Sequence, residues 1–127
     1  ALSSKGIDYD YLVGAQLEGF DRMVKLSDAG IIILEGDEYL SSPIDRRPKM
    51  MHYKPNIAVI TGVAWDHINV FPTLDNYVDQ FRLFINDMKE LDQLYIYEND
   101  YHLETIIKEN NHNCNKLNLI LQNLSVC

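Results

Sequence analysis

Ile31-Ile32-Ile33-Leu34-Glu35-Gly36-Asp37-Glu38-Tyr39 is the stretch whose reading decides the fold, and a second stretch, Ile57-Ala58-Val59-Ile60-Thr61-Gly62-Val63-Ala64-Trp65-Asp66-His67, repeats its form. Each is a short β-branched apolar run that ends in acidic or imidazole side chains. A continuous run of this kind predicts a strand buried on both faces, as in a parallel sheet. Two adjacent parallel strands deliver Glu35 and His67 to one edge, and that edge is where open α/β sheets bind ligands. A carboxylate and an imidazole there suit a metal, a phosphate or both.

Working outward, Tyr11–Ala15 reads as a short strand preceded by a ragged polar start, and residues 16–29 show no clear period. Residues 36–55 form a polar connection with Pro43, Pro48 and Pro55 and one helical turn around Ile44–Met51. Next comes a helix over Leu74–Met88. Thr73 can cap it, Asp75 sits in its first turn, and Leu74, Tyr77, Val78, Phe81, Phe84, Ile85 and Met88 recur at three- and four-residue steps. Tyr77, Phe81 and Phe84 are core residues at this spacing. Leu94–Tyr97 reads as a third buried strand. Asn99 or Asp100 caps a helix carrying Leu103, Ile106 and Ile107, and Lys116–Leu121 reads as a last strand. Strands alternating with helices predict an α/β fold, with a mostly parallel sheet and flanking helices.

The chain has 127 residues, the size of one domain, and a formal net charge of -8. That charge argues against nucleic acid and anionic membranes as partners. No apolar run approaches the roughly 20 residues of a membrane helix, and residues 1–15 lack the pattern of a signal peptide. Cys114 and Cys127 form no CxxC pair and fit a reducing, cytoplasmic setting. His102 and the His112-x-Cys114 pair lack the further ligands a zinc site needs, and read as structural or surface residues.

Three clusters carry chemistry. Glu35, Asp37 and Glu38 suit a hard cation such as magnesium, and Gly36 lets the backbone turn there. The same cluster also fits a solvated acidic turn. Asp66-His67 suits a metal ligand with its orienting carboxylate, or a satisfied histidine opening the segment before Phe71-Pro72. Asp45-Arg46-Arg47-Pro48-Lys49-Met50-Met51-His52-Tyr53-Lys54 is locally basic; its arginine forks suit a phosphate or carboxylate, and it also fits a solvated loop. There is no GxxxxGK[ST], GxGxxG or GxSxG motif.

The stretch from Val13 to Phe81 resembles the central domain of the Mur ligases. The specific parts are Glu35-Gly36-Asp37-Glu38-Tyr39, the Asp66-His67-Ile68 element beyond the next strand, and Asp45-Arg46-Arg47-x-Lys49-x-x-x-Tyr53-x-Pro55 between them. The resemblance is good over residues 10–90, fades through 91–112, and is not evident in 113–127, which reads as a divergent tail of a single partial domain.

The resemblance implies an ATP-dependent ligase that joins UDP-N-acetylmuramate to L-alanine or a murein tripeptide through an acyl phosphate, with magnesium bridging the ATP phosphates. By motif, Glu35 matches the family's metal-binding glutamate, and His67 matches the histidine that holds a second metal or orients the acyl phosphate. Asp66 is its neighbour, Glu38 a supporting carboxylate, and Arg46 and Arg47 face the UDP-sugar or peptide. Some members use a carbamylated lysine in the helix after the Asp-His element; here Arg82 stands about where it would sit. The family's phosphate loop is not in this sequence. An inactive partial domain is therefore expected, with self-association through an unpaired sheet edge. The alternative is a non-catalytic paralogue that binds a UDP-sugar or acts as an interaction module.

Overall fold

The computed structural model describes residues 2–15 and 22–110, together with the backbone of residues 115–117. His112, Cys114, Cys127, residues 118–121 of the expected last strand and most of the divergent tail lie outside the described residues.

The chain builds two three-stranded sheets. In the first, β1 (Asp10–Leu12) lies between β2 (Val24–Lys25) and β3 (Ile32–Leu34). β1 runs antiparallel to β2, with Tyr11 opposite Lys25, and parallel to β3, with Tyr11 opposite Ile33. The buried carboxylate of Asp10 ties this sheet to the turn after β2: its two oxygens accept the Ser27 amide at 2.9 Å and the Ser27 hydroxyl at 2.7 Å. Both carboxylate oxygens are thereby used, which offsets the cost of burying the charge.

The second sheet holds β4 (Ile57–Ile60), β5 (Gln93–Tyr97) and β6 (Asn115–Leu117), all parallel. Helix α1 (Leu74–Asp87) joins β4 to β5 and helix α2 (Tyr101–Asn110) joins β5 to β6. Thr73 caps α1, its hydroxyl accepting the Asn76 amide at 3.2 Å. Asp100 caps α2, accepting the Leu103 amide at 3.0 Å. The α1 stripe packs Tyr77, Val78, Phe81 and Ile85 against Ala58, Ile60, Leu94 and Ile96 of the sheet and Leu103 and Ile106 of α2. This is the alternating parallel α/β arrangement that the periodicity predicts.

Two expectations are corrected. The strands β3 and β4 do not lie side by side; each belongs to a different sheet. Neither is buried on both faces. In β3, Ile32 is 50% exposed, and in β4, Ile57 and Val59 are 61% and 57% exposed while Ala58 and Ile60 face the core. A run without a period cannot say which of its faces is covered. The helical turn expected around Ile44–Met51 is present as a 3-10 turn over Lys49–His52, whose Met50 joins the core. Arg82 pairs with Asp79 and reaches Glu109 of α2 at 3.2 Å, clamping one helix to the other.

Candidate functional site

The segment leaving β3 crosses to the second sheet and meets the segment leaving β4. Asp37 anchors the crossing. Its carboxylate accepts the Lys49 ammonium at 2.6 Å and the Tyr39 amide at 2.7 Å, while its carbonyl accepts the Met50 amide at 3.0 Å. Burial opposes ionisation of Asp37, yet Lys49 and the Tyr39 amide outweigh it and hold the carboxyl below its usual range.

Glu38 then reaches the floor of the junction. Its Oε1 accepts the Tyr77 hydroxyl at 2.8 Å and lies 3.7 Å from His67 Nε2. Burial, and then the Glu38 carboxylate, push the Tyr77 phenol well above its ordinary value, so it stays a donor. Above Glu38, the Tyr39 ring meets the His67 imidazole edge-on with centroids 4.9 Å apart, and the Tyr39 hydroxyl accepts the Asn69 amide at 3.2 Å.

His67 has φ +54°, in the left-handed region that non-glycine residues adopt rarely. Local hydrogen bonds hold it there. Its amide donates to Asp66 Oδ1 at 2.6 Å, and its carbonyl accepts the Val70 and Phe71 amides at 2.8 and 2.9 Å. Asp66 thus orients the backbone of His67, while the imidazole packs edge-on against Tyr39 and lies 3.7 Å from Glu38 Oε1. Farther back, Asp100 Oδ2 accepts the Val63 amide at 2.6 Å, so one carboxylate caps α2 and pins the loop that carries His67.

Of the six sequence-nominated residues, the structure gathers Glu38, Asp66 and His67. The Glu35 carboxylate makes a different contact, accepting the Gly14 amide just beyond β1. A Cβ on Gly14 would lie 3.3 Å from that carboxylate, a tight contact that the Glu35 side chain would have to relieve by a small shift. Arg47 is committed to Asp45 through two hydrogen bonds of 3.0 and 2.6 Å, and this fork drops the Asp45 carboxyl to about 2. Arg46 is exposed.

Among the described residues, no three His, Cys, Asp or Glu side chains converge as a metal cage. The carboxylates of Glu35 and Glu38 are nevertheless hard oxygen donors. Each is of the donor type magnesium takes, since that ion accepts one or two carboxylates and completes its shell with phosphates and water. Tyr77, Tyr39, Asn69 and Asp100 were missed as site residues by sequence reasoning. Tyr77 looked like pure core and Asn69 carried no signal, whereas Tyr39 closed the Glu35–Tyr39 element and Asp100 stood out as a possible helix cap.

A parallel α/β unit whose strand ends present Glu35 and the Glu38–His67 pair defines the class. The family model for the Mur ligase middle domain matches residues 17–123, and the chain belongs to that family. It is 30% identical over 84 residues to a UDP-N-acetylmuramate–L-alanyl-γ-D-glutamyl-meso-2,6-diaminoheptandioate ligase of Haemophilus influenzae, covering 66% of this chain and 18% of that protein. It is also 30% identical over 100 residues to a UDP-N-acetylmuramate–L-alanine ligase of Roseiflexus sp., covering 78% of this chain and 20% of that protein. The crystal structure of the corresponding murein-peptide ligase from Neisseria meningitides superposes with a TM-score of 0.79 at 22% identity, over 91% of this chain and 39% of that one. The fold is therefore that of the Mur ligase middle domain. The chain spans about a fifth of the length of the curated relatives it matches. No described helix is long and apolar enough to cross a membrane.

Proposed function

We propose that this chain serves as the middle domain of an ATP-dependent, cytoplasmic ligase that joins the lactyl carboxylate of UDP-N-acetylmuramate to L-alanine or a murein tripeptide. The observation that carries the reading is the Glu38–His67 pair, fixed at the junction of the two sheets on the segments that match the family. Phosphorylation of the lactyl carboxylate gives an acyl phosphate, and attack by the amine forms the amide and releases phosphate. Magnesium, when bound, neutralises the charge that develops on the phosphoryl oxygens.

In this reading Glu35 and His67 hold the magnesium–nucleotide side. Glu38 keeps the imidazole in place, and Asp66 keeps its backbone in the left-handed turn. Arg46 extends toward the anionic substrate, and Arg47, drawn to Asp45, shapes the loop beside it. Among the described residues β4 has one unpaired edge, and its Ile57 and Val59 are exposed; both favour self-association of the isolated chain.

The test is ADP release by the complete polypeptide carrying this chain, with UDP-N-acetylmuramate and each amine. Glu35→Ala and His67→Ala are each expected to lower turnover by about 100-fold or more. Unchanged turnover in both, or no ADP release with any of these substrates, would sink the proposal.

A further inference from the structure

We infer that Tyr77 is a positioning residue of this site, its buried hydroxyl fixing the Glu38 carboxylate against His67. The inference rests on the ligase reading above and deepens it. Tyr77 lies on the core stripe of α1 and is 3% exposed. Its ring is wedged between Phe71 and Phe81, with centroids 5.5 and 5.3 Å away and both contacts edge-on. Packing therefore fixes the ring, and the ring fixes where the hydroxyl points. Leucine or phenylalanine would satisfy the stripe equally well, so apolar packing alone does not account for the hydroxyl.

That hydroxyl donates to Glu38 Oε1, the same oxygen that faces His67 Nε2. Its donation ties that oxygen to a fixed point on α1. The histidine is already held by its left-handed backbone and by Tyr39, so the hydroxyl supplies the remaining restraint on the pair. The device is rigid because its base is a helix and not a loop. A helix from the second sheet thus sets a side chain that arrives from the first.

Turnover and thermal midpoint are measured for Tyr77→Phe, Glu38→Ala, the double variant and Glu38→Asp in the complete polypeptide carrying this chain. Tyr77→Phe is expected to lower kcat by about tenfold, the scale for outer-shell partners, with KM for the UDP-sugar unchanged. In the Glu38→Ala background the same substitution is expected to have no further effect on kcat, because its route runs through Glu38. Glu38→Asp keeps the charge but shortens the reach to the hydroxyl, and is expected to fall with Tyr77→Phe; it tests the idea from the acceptor's side even if Tyr77→Phe folds poorly. A loss that is additive in the double variant, or wild-type turnover in Glu38→Asp, overturns the inference. If Glu38→Ala lowers turnover and Tyr77→Phe does not, Tyr77 alone is misassigned. If Glu38→Ala and His67→Ala both leave turnover intact, the reading of the site falls, and this inference with it.

Discussion

The two sheets of this molecule are built from similar apolar runs and use them differently. In the second sheet, Ile96 of β5 is completely buried beneath α1 and α2, whereas in the first, Ile31, Ile32 and Ile33 at β3 are all exposed by 42% or more. The difference lies in the segment after each strand. β4 and β5 each lead into a helix with an apolar stripe, and those stripes cover one face of the sheet. β3 leads into the polar, proline-punctuated crossing that carries Asp37 and Glu38. One region is organised around packing, the other around hydrogen bonds accepted by the carboxylates of Asp10, Glu35 and Asp37.

The sharpest way to break this comparison is to truncate both regions equally. Ile96→Ala is expected to destabilise by about 2–5 kcal/mol in urea melts, the range for a filled core site. Ile33→Ala is expected to cost well under half of that; equal losses would mean that the first sheet is also a packed core. A smaller effect tests the hydrogen-bonded side of the argument. Asp100→Ala removes a helix cap and leaves the Val63 amide unpaired, and is expected to cost about 1–2 kcal/mol by the same melts. Asp100→Asn, which keeps an acceptor, should recover part of it.

Smaller still is the pH dependence of the crossing. The folded Asp45 carboxyl lies at about 2, against 3.8 for an unperturbed aspartate, because of the Arg47 fork. A depressed folded value stabilises the native state above the unfolded value, and that contribution disappears as pH falls from about 4 to about 2. The carboxyl is exposed, so the effect is slight. Melts of wild type and Asp45→Asn should converge at pH 2 and separate slightly above pH 4. The smallest expected change in stability comes from Val59→Lys on the open face of β4, within about 0.5 kcal/mol. Its readout is assembly: light scattering should show self-association of the wild-type chain and its loss in the variant. A monomeric wild type would remove that part of the proposal.

The second sheet was legible because its signals are periodic. The Thr73 cap, the seven-position stripe of α1 and the Asp100 cap each name a place and a direction. Ile31–Leu34 names only a strand, since four consecutive apolar residues show no face, and so its burial and its neighbour were both misread. The site was legible in part for the same reason. Asp66-His67 and Glu38 stand out as polar residues after strands. The Tyr77 hydroxyl does not, because its ring fits the apolar stripe and the sequence gives no sign that the one polar atom meets Glu38, thirty-nine residues earlier. The Glu35–Gly14 bond was hidden likewise, joining strand ends twenty-one residues apart.

The double duty of Asp100 has a consequence for motion. Its two oxygens hold the first turn of α2 and the Val63 amide together, so the loop leading to His67 cannot loosen without disturbing that cap, nor the cap without the loop. Hydrogen exchange at Val63 should therefore slow and quicken in step with the first turn of α2, making a single backbone amide a gauge of how firmly the histidine is held.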